Sequence, residues 1–189
     1  MTDHTKLAVF FPGVGYHTDK PLLYYTKKLA AAYGYEIAEV PYGNFPPNVK
    51  DSCGKMKQAF TSALSQTEIL LKNVDFSKYE RLLFVSKSIG TAVSAAYGDK
   101  YDLKTDNIYF TPVEETFRLI RQNGIVFHGT KDPWIKTAFV REACSRLDLP
   151  LYITENANHS LETGDAVTDL KNLQSIMEQC QSYIEALAR

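Results

Sequence analysis

Arg81-Leu82-Leu83-Phe84-Val85-Ser86-Lys87-Ser88-Ile89-Gly90 runs from an apolar strand-forming tract through small polar residues, and Ala92, Val93, Ala95 and Ala96 carry it on as a helix. Strand, small residue, any residue, Ser88, any residue, Gly90 and then helix is the layout of a nucleophile elbow, a sharp turn that exposes a serine hydroxyl above a sheet. Small flanking residues suit it because neighbouring backbone approaches closely, and the helix amino terminus favours negative charge developing beside Ser88. The first flank is Ser86, where glycine is usual. Taken alone, the same residues also describe an ordinary strand-to-helix turn with Ser88 capping its helix.

Working outward, apolar runs rich in Val, Ile, Phe and Tyr recur between amphipathic segments: Leu7 to Phe11, Ile37 to Tyr42, Asn107 to Thr111, Ile125 to His128 and Leu151 to Thr154 join Arg81 to Ser86 as strands. Several are nearly continuous in hydrophobicity, as expected where helices cover both faces of a sheet. The expectation is an α/β fold with a mostly parallel six-stranded sheet flanked by helices, in one domain over residues 1–189. Asp19 and Pro21 open the first helix and Gly34 stops it. From Met56, the positions Ala59, Phe60, Ala63, Leu64, Leu70 and Leu71 form one core face; from Val167, Leu170, Leu173, Ile176, Met177, Cys180, Ile184 and Leu187 form another. Pro41 to Asn48, with Gly43, Asn44, Pro46 and Pro47, is the loop with marked turn composition.

Composition narrows the function. The 189 residues carry 21 Lys plus Arg against 22 Asp plus Glu, a net charge of -1, which gives a polyanion no purchase and argues against nucleic acid as a partner. The start, Met1 to Lys6, is polar, and no apolar run is long enough to cross a membrane, so the expected location is cytoplasmic with no membrane partner. Cys53, Cys144 and Cys180 are widely spaced, without a zinc or disulfide pattern, and read as buried apolar residues. Neither a metal nor an organic cofactor is implied.

Two later segments bear on Ser88. Gly129-Thr130-Lys131-Asp132-Pro133-Trp134 follows one strand and sets a carboxylate at its carboxyl end, where open parallel sheets build their sites. Glu155-Asn156-Ala157-Asn158-His159-Ser160-Leu161 follows the last strand and carries a histidine. Asp132 alone is a common turn residue and His159 alone a common loop residue. The chain order Ser88, Asp132, His159, each after a strand, is the order of a nucleophile, acid and base set on this architecture.

On these residues the sequence resembles the α/β-hydrolase superfamily, in particular its small, lidless esterase-like and dienelactone-hydrolase-like members, from Leu7 to the last helix. The resemblance implies a minimal fold without a cap domain or opening hairpin, a Ser88, Asp132 and His159 triad, and an oxyanion hole made by backbone amides. In this chain those amides belong to Ile89 and to the Phe11-Pro12-Gly13-Val14-Gly15 loop, with Val14 the favoured donor and Gly13 the alternative. Pro12 stands where the family often has histidine. Read as a phosphate loop, Gly13-Val14-Gly15 fails, since no GxGxxG or GxxxxGK[ST] pattern completes.

The implied reaction is acyl transfer to water, with a small carboxylic ester ranked ahead of thioester, lactone or peptide as the acyl substrate. Tyr16, Phe45 and Trp134 are candidates for an apolar wall at the site. Lys87 reads as a surface or orienting charge. Glu114 and Glu115 offer another place for the acid but read better as the acidic first turn of a helix. His17 and His128 read as a loop and a strand-end residue, and His4 as part of a frayed terminus. The competing function is a catalytically idle binding protein on the same fold.

Overall fold

The computed structural model of the chain describes residues 5–45, 47, 49, 52–121 and 123–187; His4, Pro46, Asn48 and the side chain of Cys53 lie outside the described residues. The expected tracts are strands β1 (Lys6–Phe11), β2 (Glu36–Glu39), β3 (Arg81–Lys87), β4 (Asp106–Phe110), β5 (Gly124–Gly129) and β6 (Leu151–Thr154). Between them run α1 (Pro21–Ala32), α2 (Cys53–Leu71), α3 (Ile89–Lys100), α4 (Thr116–Leu119) and α5 (Thr137–Arg146), and α6 (Ala166–Leu187) follows the last strand. All pairings are parallel, in the order β2-β1-β3-β4-β5-β6. β2 is shorter than expected: Val40 N–H still donates to the Phe10 carbonyl at 3.1 Å, but beyond it the chain leaves β1, and the Tyr42 hydroxyl donates to the Pro12 carbonyl at 2.5 Å.

The near-continuous apolar strands serve two cores at once, because successive side chains point to opposite faces. Ala8, Phe10, Leu83, Val85, Ile108, Phe110, Ile125 and Phe127 meet Leu22 and Leu23 of α1 and Ile176, Cys180 and Ile184 of α6. Leu7, Val9, Phe11, Leu82 and Phe84 meet Ala63 and Leu71 of α2 and Val93 and Tyr97 of α3. Tyr109 and Val126 complete the second face against Val140, Ala143 and Cys144 of α5. Cys144 and Cys180 are buried in these cores, where burial pushes the Cys144 thiol up to about 12.

Two details differ from the expectation. Asp19 does not cap α1: Lys20 holds the cap position without a side-chain bond, Pro21 opens the helix, and the Asp19 carboxylate pairs with Lys27 at 3.3 Å. Gly34, at φ +82, does end α1, a conformation that favours glycine. Leu70, near the end of α2, and Val167 and Leu170, at the start of α6, are exposed rather than part of the core faces. Among the described residues no helix is long and apolar enough to cross a membrane.

The order of strands reverses at β1, whose neighbours are β2 and β3, and such a switch point opens a crevice at the strands' carboxyl ends. Phe11 and Ser86 are paired there, so the loop after β1 and the turn after β3 leave the sheet side by side. Gly90 makes that closeness possible: a Cβ on it would overlap the carbonyl oxygens of Phe11 and Pro12 and stand 2.9 Å from the Phe11 carbonyl carbon. Gly90→Ala should therefore lower stability by about 3 kcal/mol in urea unfolding, the upper range for overpacking. Gly54→Ala, with nothing within 4 Å of its new Cβ, should leave stability unchanged or raise it by up to about 1 kcal/mol.

Candidate active site

Ser88 stands between β3 and α3 with φ 56 and ψ -125, outside the ordinary regions for a residue bearing a side chain. The turn is held by its backbone: Ser88 N–H donates to the Phe110 carbonyl at 3.0 Å, and the Ser88 carbonyl accepts from Thr91 N–H at 2.9 Å and from the Thr91 hydroxyl at 2.6 Å. Its side chain is thus left free of capping duty, contrary to the ordinary-turn reading. Ser86 is wholly buried, with its hydroxyl on the Ile108 carbonyl at 3.4 Å, which keeps it away from the crevice and explains why a small polar residue serves in the glycine position.

The Ser88 Oγ is 2.8 Å from His159 Nε2, and His159 Nδ1 is 2.7 Å from Asp132 Oδ2. The second Asp132 oxygen accepts from the Trp134 amide at 2.9 Å, and the Asp132 side chain is fully buried. Burial raises the Asp132 carboxyl, but the hydrogen bond and charge of His159 and the Trp134 amide outweigh it, leaving the group below its ordinary value. An ionised carboxylate only accepts, so Nδ1 must carry the imidazole proton and Nε2 is the acceptor facing the Ser88 hydroxyl.

The acid and base loops are stitched to each other. Lys131 N–H donates to the Ala157 carbonyl at 2.8 Å and Asn156 N–H to the Thr130 hydroxyl at 2.8 Å. Gly129 leaves no room for a side chain, since a Cβ would overlap the carbonyl oxygens of Ala157 and Asn158. Asn158 turns the base loop by accepting from Ser160 N–H at 2.7 Å and Glu162 N–H at 3.2 Å.

The β1 loop approaches from the other side. A Cβ on Gly13 would stand 3.1 Å from the Ser88 Cβ, so glycine sets the separation. Gly13 N–H donates to the Tyr16 carbonyl at 3.0 Å and Tyr16 N–H returns the bond at 3.1 Å, which removes Gly13 as an oxyanion donor. The Val14 amide has no acceptor among the described residues. Ile89 opens α3, where the first amides find no carbonyl within the helix. Val14, Ser88, Ile89, Trp134, His159 and Met56 enclose a space of about 10 Å³, room for a single water.

The remaining candidates fall elsewhere. Trp134 borders the crevice, its ring 5.9 Å from the His159 ring. Tyr16 and Phe45 do not line it: the Tyr16 hydroxyl accepts from Leu22 N–H at 3.1 Å on the α1 side, and Phe45 packs edge-on to Tyr42. Glu114 and Glu115 are exposed, and Glu114 pairs with Arg118 at 3.5 Å, far from any role as the acid. His17 is exposed, while His128 is buried against the Thr137 hydroxyl at 2.9 Å, where burial lowers its basicity. Among the described residues no group of three or more His, Cys, Asp or Glu side chains could hold a metal ion.

Lys87 is the clearest departure from the expected surface charge. Only 1% exposed, it sends its Nζ over the Tyr16 ring at 5.1 Å and donates to the Thr111 hydroxyl at 2.6 Å. That hydroxyl donates in turn to the His159 carbonyl at 3.0 Å. Thr111 has φ 42, an outlier for a β-branched residue, and its strain is held at the point where three loops meet. Periodicity gives no sign of it, since Thr111 reads only as the end of a strand.

The lowered carboxyl of Asp132 sets a pH signature. A depressed acid stabilises the fold above its unfolded value of about 3.9, and that contribution is lost as pH falls through the lower folded value. In urea unfolding, the advantage of the wild-type chain over Asp132→Asn should be full at about pH 7 and shrink below about pH 4. An advantage that grew on acidification would contradict the ionised assignment.

No protein-family model matches the sequence, and no curated protein matches it either. Solved structures do match. Est1E from Butyrivibrio proteoclasticus is 10% identical with a TM-score of 0.70, over 99% of this chain and 90% of that one. An alpha-beta serine hydrolase homologue from Coxiella burnetii is 12% identical with a TM-score of 0.63, over 95% and 85%. An esterase from Pyrococcus furiosus is 13% identical with a TM-score of 0.61, over 92% and 80%. Matched along nearly its whole length by such proteins, and built on a parallel six-stranded sheet, the chain has the α/β-hydrolase fold.

Proposed function

We propose that the protein is a serine hydrolase that cleaves a small carboxylic ester through an acyl-enzyme intermediate. The observation that carries this reading is the unbroken series from Ser88 Oγ to His159 Nε2 at 2.8 Å and from His159 Nδ1 to Asp132 Oδ2 at 2.7 Å. His159 takes the proton of Ser88 as its oxygen attacks the ester carbonyl, and Asp132 stabilises the imidazolium. The amides of Val14 and Ile89 receive the oxyanion, each donor being worth about 3 kcal/mol. Collapse of the tetrahedral species passes the proton from His159 to the departing alcohol. Water then repeats the sequence on the acyl-serine, releasing the acid and restoring Ser88. All protons move within the triad, so the cycle asks for no cofactor.

The short connection from β4 to β5, in which α4 is the only helix among the described residues, supports an open site without a lid. The serine hydrolase homologue from Coxiella burnetii and the esterase from Pyrococcus furiosus share this fold, which supports the same chemistry.

A serine-reactive fluorophosphonate should add once per chain, on Ser88, by intact mass. Ser88→Ala should lose both the adduct and turnover of a short-chain aryl ester, while Ser86→Gly keeps both. A folded wild-type chain that takes no label would instead indicate an idle binding protein. In the same ester assay on unlabelled chains, Asp132→Asn should lower turnover by at least about 100-fold through the wrong imidazole tautomer, while Glu114→Gln and Glu115→Gln stay active.

A further inference from the structure

Beside the crevice at Ser88 lies a separate apolar pocket of about 290 Å³, walled by Met56 and Phe60 of α2, Ile89 and Ala92 of α3, and Val113 and Leu119 around α4. Met56 and Ile89 also wall the small space at Ser88, so the two lie side by side against the same side chains. We infer that this pocket is the acyl-binding site and that it selects an uncharged acyl chain of medium length, up to about twelve carbons. The inference rests on the serine hydrolase reading above and adds to it which half of the substrate is recognised and how large that half is.

The side of the ester follows from proton transfer. The leaving oxygen must come within hydrogen-bond reach of His159 Nε2, since that nitrogen returns the proton to it. The alcohol therefore departs on the His159 and Trp134 side, and neither residue walls the apolar pocket. Ile89 joins the two halves: its amide is the proposed oxyanion donor, and the residue, 2% exposed, forms pocket wall. A carbonyl held by that amide presents its acyl substituent toward the Ile89 and Met56 side.

Size and polarity give the class. A dry apolar cavity of about 150 Å³ accepts benzene, so about 290 Å³, nearly twice that, accommodates a chain of up to about twelve carbons and stops short of a long lipid tail. At the rim, Lys57 and Glu115 are both exposed and of opposite charge, so the mouth offers no net attraction for a charged chain end.

The test is a series of p-nitrophenyl esters from acetate to hexadecanoate, which share one leaving group and differ only in the acyl chain. For the wild-type chain, kcat/KM should rise by up to about three- to fourfold per methylene from acetate, peak at decanoate to dodecanoate and fall by hexadecanoate. Leu119→Trp, which fills the pocket, should cut the octanoate-to-acetate ratio at least about tenfold; Phe60→Ala, which enlarges it, should move the peak to longer chains. Because each variant is read as a ratio, partial loss of folded enzyme does not move the result, and the two variants must shift the peak in opposite directions. A wild-type preference for acetate, or a peak unmoved in both variants, would overturn the acyl pocket while leaving Ser88 reactive. No turnover of any ester, with Ser88 unlabelled by fluorophosphonate, would overturn the hydrolase reading and this one with it.

Discussion

A serine hydroxyl stands clear of a parallel sheet only if the chain reverses within a single residue, and at Ser88 it does so with φ 56 and ψ -125. Backbone in such a region costs of the order of 1–3 kcal/mol and persists when its surroundings over-determine it. Here the Ser88 amide is held by Phe110 and the Ser88 carbonyl by Thr91, while β3 is paired on both sides, by β1 and β4. The absence of side chains at Gly13 and Gly90 follows from the same turn: one lets the β1 loop reach the Ser88 side chain, the other lets α3 start against the β1 carbonyls. The geometry of the crevice is thus inherited from the sheet's switch point rather than from any loop by itself.

Backbone-scale features were legible in the residues. Two-faced apolar strands, Pro21 and Gly34 around α1, and the loops after β5 and β6 all announce themselves through local chemistry, because turn and strand preferences act over a few neighbours. What escaped depended on tertiary direction. Lys87 carries a charge and reads as solvated, yet the strand's alternation at the sheet's centre turns it inward toward Tyr16 and Thr111. Tyr16 and Phe45 are aromatic and close in sequence to the site, but an isolated Gly13 and Tyr16 bridge folds one toward α1, and Tyr42 draws the other into the α2 face. The apolar neighbours of the crevice come from α2 and α4, whose residues look like ordinary core positions until the helices are placed.

The base loop is fixed more firmly than its place outside the regular elements suggests. It is tied to the acid loop through Lys131 and Asn156 and to the end of β4 through Thr111, which also receives the buried Lys87 ammonium. Preorganisation of this kind holds an imidazole in place through its backbone as well as its ring, and leaves the ring's two nitrogens for the serine and the carboxylate.

Ser88 and His159 are 71 residues apart in the chain, although their side chains touch. During synthesis the serine emerges long before its base, and the elbow can form on β1, β3 and β4 while the later strands are still missing. A lone serine hydroxyl is a weak nucleophile at neutral pH. On the proposed mechanism the order of the parts along the chain leaves Ser88 without its base until β6 docks on β5 and delivers His159. Pairing of the last strand is thus also the step that completes the hydrogen-bonded series.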